Sequence, residues 1–192
     1  MKKRKGKIFV LSSPSGGGKT SVCECLKKEN FGVRFSVSAT TRKPRANEKN
    51  GRDYIFLSEG RFKKLRSHGK FLEWTFNFDD LYGTPKDFVK KILSSGKDVI
   101  LAIDVKGAMQ IKKIERPSVL IFLLPPSFGH LKKRLKGRRT EDKETITKRL
   151  RIAKRELSYS NRYDYTVVNN SLREAVDTVK AIIIAERNRV RR

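Results

Sequence analysis

Lys19 and Thr20 close the run Ser13-Pro14-Ser15-Gly16-Gly17-Gly18-Lys19-Thr20-Ser21, and their types and spacing imply chemistry more directly than any others in the chain. A strand-like apolar run, Ile8-Phe9-Val10-Leu11, precedes them, and Val22, Cys25 and Leu26 follow at helical spacing. A strand, a glycine-rich turn, then Lys-Thr opening a helix is the layout of a loop that holds phosphate on its backbone N–H groups. Glycine lets the chain turn tightly against the phosphate oxygens. The helix N-terminus adds unsatisfied donors and the positive end of its dipole. In such a loop Lys19 reaches the β- and γ-phosphates and the Thr20 hydroxyl ligates Mg²⁺. Ser13 stands where the usual pattern has glycine, a change the loop tolerates if Ser13 keeps a negative φ. A flexible Ser/Gly linker would need neither Lys-Thr at that place nor a strand before and a helix behind.

Phosphoryl transfer requires a second anion held beside the first. Arg42 and Arg45, with the hydroxyls of Tyr54 and Tyr82, offer one, because guanidinium forks bind phosphate in bidentate fashion and tyrosines add neutral donors. In a chain this rich in Lys and Arg, spacing alone leaves Arg42-Lys43-Pro44-Arg45 equally open to being a solvated basic loop. Glu73 sits in Phe71-Leu72-Glu73-Trp74-Thr75-Phe76-Asn77-Phe78, where alternation predicts a strand burying Leu72, Trp74, Phe76 and Phe78 and showing the carboxylate on the other face. His68 and His130 lie outside every motif and are expected on the surface.

The elements that must position these groups alternate along the chain. Asp98–Ile103, Val119–Leu124 and Tyr165–Val168 read as strands, the first leading into Asp104. Helices are expected from Ser58 to Leu65, from Thr84-Pro85 to Gly96, from Asp104 to Ile114, over Leu131 and Leu135, from about Glu141 to Ser158, and from the capping box Ser171-Leu172-Arg173-Glu174 onward. Continuous apolar strands alternating with helices predict an α/β fold with a parallel sheet covered on both faces. The stretch from Phe35 to about Leu81 breaks this rhythm, being short-stranded and loop-rich, and reads as a small β-rich subdomain inserted into the core.

At 192 residues the chain reads as one domain of ordinary size. Its 46 Lys and Arg against 20 Asp and Glu leave a net charge of +26, which brings nucleic acid into consideration as a partner. No helix-turn-helix, zinc or RNA-binding signature accompanies the charge, so no specific nucleic-acid partner is expected. Cys23 and Cys25 cannot pair well two apart on one helix and have no further Cys/His cluster to join, which predicts reduced thiols. No run reaches transmembrane length and the apolar start is too short for a signal peptide, so the expectation is a cytoplasmic protein with no membrane partner.

Ser13–Thr20, Ser38-Ala39-Thr40-Thr41-Arg42-Lys43-Pro44-Arg45, Gly51-Arg52-Asp53-Tyr54, Phe71-Leu72-Glu73-Trp74, Tyr82-Gly83-Thr84 and Ile103-Asp104 together resemble guanylate kinase. So do Leu131-Lys132-Lys133-Arg134-Leu135-Lys136-Gly137-Arg138 and Val167-Val168-Asn169-Asn170. The resemblance runs in order from about Lys7 to Arg187. It implies a P-loop NTPase core (7–34 and 85–192) with a helical lid at about 134–150 and a GMP-binding subdomain at 35–84. It further implies ATP-dependent phosphorylation of GMP, with dGMP as a further acceptor and Mg²⁺ as cofactor, by a monomer or homodimer. The GMP phosphate then lies on Arg42, Arg45, Tyr54 and Tyr82, and the guanine against Ser38, Glu73, Thr84 and Asp104. Arg134, Arg138 and Arg149 serve the lid and the transferring phosphoryl, Asn169 lies near the ATP adenine, and Ser13–Ser21 surrounds the ATP phosphates. Glu73 also has a chemical rationale: an ionised carboxylate only accepts hydrogen bonds, and guanine offers adjacent donors at N1–H and N2–H₂. Ala102 stands where the family commonly carries an acid, so the resemblance leaves Asp104 to act without a second carboxylate. A related inactive module that binds phosphopeptides would need only the Arg42/Arg45/Tyr54/Tyr82 pocket, whereas this chain also keeps Lys19, Thr20 and the lid arginines.

Overall fold

A computed structural model describes residues 5–115, 117–136 and 143–190 of the chain. Nine strands are found among them: β1 (Ile8–Ser12), β2 (Val33–Phe35), β3 (Ala39–Thr40), β4 (Ile55–Phe56), β5 (Phe71–Asn77), β6 (Asp80–Pro85), β7 (Asp98–Ala102), β8 (Ser118–Leu124) and β9 (Tyr165–Val168). The helices are α1 (Lys19–Lys28), α2 (Glu59–Ser67), α3 (Lys86–Ser94), α4 (Val105–Ile114), α5 (Phe128–Lys136), α6 (Lys143–Leu157) and α7 (Leu172–Asn188). A five-stranded sheet has the order β2-β7-β1-β8-β9, and a four-stranded sheet the order β4-β3-β6-β5. The fold is the expected α/β arrangement, its parallel sheet built from near-continuous apolar strands such as Ile8–Leu11 and Val119–Leu123.

The chain divides into two compact units. One holds Gly32–Leu101, Lys106–Ser118 and the chain up to Ile8, and the other Phe9–Phe31, Ala102–Val105 and the chain from Val119. In the second, Phe122 packs its ring at 4.8 Å from that of Tyr163, and Leu131, Leu135 and Ala153 form a cluster joining α5 to α6. Cys23 is buried in α1 and burial pushes its thiol up to about 11, so it stays a protonated thiol, as the sequence suggests. Cys25, expected on the buried stripe, is only half-buried, and Cys23 takes its place there. No helix among the described residues is long and apolar enough to cross a membrane.

In the first unit the four-stranded sheet has two unlike faces. On one, Ala39, Ile55, Leu57 and Leu81 meet Phe62 of α2, whose ring stacks on Phe71 at 4.5 Å. Ser58 caps α2 by accepting from the Arg61 N–H at 3.3 Å. The other face is polar, because the register Glu73↔Thr84, Thr75↔Tyr82 and Thr40↔Tyr82 puts these five side chains on the same side.

This register reverses the expected orientation of β5. Glu73 is 4% exposed and Thr75 is buried, while Trp74 and Phe76, expected inside, are 38% and 55% exposed. A bulge between Phe71 and Glu73 lets Leu72 and Glu73 both point inward, and beyond it the alternation favours the polar residues. Trp74 finds cover in the Arg66 guanidinium, 4.5 Å above its ring. As the edge strand, β5 is tied by Gln110 of α4, which accepts from the Trp74 N–H at 3.3 Å and donates to its C=O at 2.7 Å. The hairpin into β6 turns through Phe78 and Asp79, both at positive φ as a tight two-residue turn demands. The entry to α3 also differs from expectation: Thr84 belongs to β6, and Pro85 sits at the N-cap.

The core of the small sheet is thin, so Phe62→Ala should cost about 3–5 kcal/mol. Trp74 is the chain's one tryptophan and lies on this sheet, so its fluorescence reports the loss. The fluorescence transition should move to lower urea in the variant; an unmoved midpoint would mean Phe62 does not hold the sheet.

Candidate active site

The phosphate-loop geometry is built from glycine. Gly16 and Gly18 have φ of 83° and 91°, and Gly18 is the N-cap of α1. Ser13 is not among the described residues at positive φ, so the departure from the usual pattern costs no backbone strain. Instead, Ser13 packs close: a Cβ at Gly17 would lie 2.7 Å from the Ser13 Cβ. Gly17 N–H closes a turn onto Pro14 C=O at 2.8 Å. Lys19 lies at the start of α1, and its Nζ donates to the Ile103 C=O at 2.8 Å, one residue before Asp104. Thr20 and Ser21 are exposed in the first turn.

Side chains from elsewhere in the unit hold this loop. Asn169, just after β9, is buried and donates from Nδ2 to the Gly17 C=O at 2.9 Å. A Cβ at Gly18 would collide with that same Nδ2. Arg134 of α5 donates to the Asn169 C=O at 3.3 Å, which brings it beside the loop. Arg149 lies half-buried in α6. Arg138 lies outside the described residues.

On the small sheet, Arg42, Tyr54 and Tyr82 come together. The Arg42 guanidinium lies 5.4 Å from the Tyr54 ring centre, and the two tyrosine rings meet edge-on at 6.2 Å. Burial pushes both tyrosine hydroxyls up, so both remain donors at neutral pH. Ser38 and Tyr54 immediately precede β3 and β4 and follow the same alternation as Thr40 and Phe56. Thr84 Oγ1 donates to Glu73 Oε1 at 2.6 Å, so the carboxylate is oriented by its cross-strand neighbour. Arg45 is exposed, and its backbone N–H bonds to Glu48. Asp104 is half-buried two residues past the end of β7.

Sequence reasoning missed Glu48. It accepts from Arg42 Nη2 on both oxygens, at 2.7 and 2.9 Å, and from the Arg45 N–H at 2.8 Å. Arg42 Nη1 is fixed as well, by Lys43 C=O at 2.7 Å. A lone acid three residues past Arg45, in a loop otherwise basic from Arg42 to Arg52, was the available signal.

Comparisons with known proteins identify the family of the chain that carries this loop and this Arg/Tyr cluster. The guanylate kinase family profile matches residues 5–186. The chain belongs to the guanylate kinase family. A guanylate kinase of Caldanaerobacter subterraneus subsp. tengcongensis is 46% identical over 190 residues, covering 99% of this chain and 92% of that protein. One from Shouchella clausii is 44% identical over 186 residues, covering 97% and 91%. The crystal structure of guanylate kinase from Anaplasma phagocytophilum superposes with a TM-score of 0.81 at 33% identity, covering 98% of this chain and 89% of that one.

In this family member the Arg42–Glu48 pair gives a measurable pH dependence. Partial burial raises the Glu48 carboxyl, but the Arg42 bond and the Arg45 N–H outweigh it and hold the group below its ordinary 4.5. A depressed carboxylate contributes stability that is present above the unfolded value and lost as pH falls through the folded one. Urea denaturation from neutral pH down to about pH 3 should show wild type losing more stability than Glu48→Gln, whose side chain does not titrate. Equal losses in both would mean that the pair contributes nothing.

Proposed function

We propose that this chain transfers the γ-phosphoryl group of ATP to GMP, releasing ADP and GDP, with the acceptor held on the small sheet and the donor on the Ser13–Thr20 loop. The observation that carries this reading is the buried Glu73 carboxylate, fixed by Thr84 on the same sheet face as Tyr82, whose ring meets that of Tyr54 edge-on. One face thus offers a base reader and a phosphate clamp. Arg42, Arg45, Tyr54 and Tyr82 bind the GMP phosphate, and Ser38, Glu73, Thr84 and Asp104 face the guanine. Glu73 accepts from N1–H and N2–H₂, where adenine would present a lone pair at N1. Residues 35–84 serve as the GMP-binding segment and about 134–150 as the lid.

The acceptor oxygen of GMP is already anionic, so the reaction needs no strong general base. What the protein supplies is alignment and charge. Backbone N–H groups of Gly16, Gly18, Lys19 and Thr20 at the α1 N-terminus cradle the ATP phosphates, with Pro14, Ser15, Gly17 and Ser21 flanking them. Lys19 leaves the Ile103 carbonyl for the β/γ-phosphates. Arg134, Arg138 and Arg149 neutralise the transferring group, and Asn169 supports the adenine side. The described residues contain no cluster of three His, Cys, Asp or Glu. Mg²⁺ favours phosphate and water over an all-protein cage, and the exposed Thr20 hydroxyl is the residue to hold it. When bound, Mg²⁺ screens the charge of the phosphate oxygens.

Lys19→Ala should abolish turnover while GMP binding, measured by calorimetry, stays nearly unchanged; near-wild-type kcat would remove the loop assignment. Glu73→Gln should lower the ratio of kcat/KM for GMP over AMP by two or more orders of magnitude. The amide can present its NH₂ to adenine N1 and its oxygen to the N6 amine, a pairing closed to the carboxylate, and buried mismatches of this kind cost several kcal/mol. The Arg42/Arg45 clamp is untouched, so the change is one of base preference. The same ratio in both proteins would mean that the guanine is read elsewhere.

A further inference from the structure

One backbone donor of the phosphate loop is bonded to a residue without a role in the chemistry above. The Ser15 N–H donates to Glu156 Oε2 at 3.1 Å, across 141 positions of sequence. Ser15 precedes Gly16–Thr20, the segment whose N–H groups cradle phosphate, so the bond grips the loop without occupying those donors. Glu156 lies in the last turn of α6, beside Lys154 and Arg155. A negative charge there opposes the helix dipole, so its position calls for a partner, and Ser15 supplies one.

Glu156 also belongs to the helix that carries Arg149, seven residues or about two turns earlier. Between them, Leu150 and Ala153 pack with Leu131 and Leu135 of α5. Those two leucines line the loop as well, since a Cβ at Gly16 would meet their side chains at 3.2–3.3 Å. The seat around Glu156 is polar. The Tyr163 hydroxyl, in a side chain only 8% exposed, lies beside the hydroxyl of Ser12, the residue that leads into the loop, and within the fields of Asp104 and Glu156. The Glu156 carboxylate is the side chain that holds a loop donor at this end, as Asn169 holds a loop carbonyl at the other.

We infer that Glu156 is a positioning residue that locks the phosphate loop to α6, keeping the loop in its ATP-receiving shape and tying it to the helix of Arg149. The inference rests on Ser13–Thr20 being the ATP loop. The Ser15 bond needs an acceptor oxygen, so glutamine can stand in and alanine cannot.

The test is steady-state kinetics of Glu156→Gln and Glu156→Ala with ATP and GMP varied separately, alongside thermal midpoints. Glu156→Ala should raise KM for ATP about tenfold and lower kcat, leaving KM for GMP within about twofold, while Glu156→Gln stays near wild type. An unchanged KM for ATP in the alanine variant overturns the inference. So does equal impairment of both variants, or a parallel rise of both KM values with a lowered thermal midpoint. If the alanine variant does not fold, amide exchange at Ser15 in the wild type decides: a protected N–H supports the lock and a freely exchanging one overturns it. A wild type that fails to phosphorylate GMP would fault the ATP:GMP reading itself, whereas an active wild type with indifferent variants faults Glu156 alone.

Discussion

A loop made to cradle phosphate must point most of its N–H groups at an anion, which leaves few, such as the Gly17 N–H on the Pro14 C=O, to hold its own shape. Three successive glycines make this acute, because Gly16, Gly17 and Gly18 bring no side chains to brace the turn. The bracing comes from the rest of the unit. Asn169 takes the Gly17 carbonyl, Glu156 takes the Ser15 N–H, and Leu131 and Leu135 close against Gly16. Each of these lies more than a hundred residues further along the chain, on α5, on α6 or just past β9, so the loop forms only when the second unit is folded. That dependence suits a site that must be rigid before substrate arrives, since order already present in the fold is not charged against binding.

The small sheet solves a different problem, that of burying charge. Its apolar face, sealed by Phe62 of α2, stabilises the sheet, and this frees the other face to carry groups that would otherwise weaken a core. A carboxylate at 4% exposure is costly unless it is hydrogen-bonded, and Thr84 meets part of that need at 2.6 Å. Arg42 is treated alike: burial works against its charge, the Glu48 bond outweighs that, and the guanidinium ends up held more firmly in its charged form. Both groups reach the site already oriented by a neighbour, and neither needs to be ordered by the ligand.

The sequence was most legible where local backbone chemistry dictates the outcome. Glycines before Lys-Thr imply the loop, Ser58 and Ser171 cap helices as expected, and the apolar runs become parallel strands. It was least legible where a long-range partner decides. Alternation in β5 correctly separates Glu73 and Thr75 from Trp74 and Phe76, but period alone cannot say which side is inside, and hydrophobicity votes for the aromatics. The bulge before Glu73 and the pairing with Thr84 and Tyr82 overrule that vote, and neither is written in the segment itself. Glu48 and Glu156 escaped notice for a similar reason. Each is a single acid among bases, and its meaning lies in what it touches.

That pattern bears on the net charge of +26. With 46 bases and 20 acids, an acid placed at random would find a cation nearby and would say little. Yet Glu48 is shared between a guanidinium and a backbone N–H, Glu73 is bonded to a threonine hydroxyl inside a sheet, and Glu156 reaches a loop N–H from the wrong end of a helix for its charge. The bonds described for Glu73 and Glu156 run to neutral donors, and Glu48 divides itself between charge and backbone. Simple ion pairing would instead have matched each acid to an exposed lysine, as Lys63–Glu59 does on α2. In so basic a chain, the acids that also hold fixed, neutral donors are the ones that shape the site, because such bonds survive the salt screening that dissolves surface pairs.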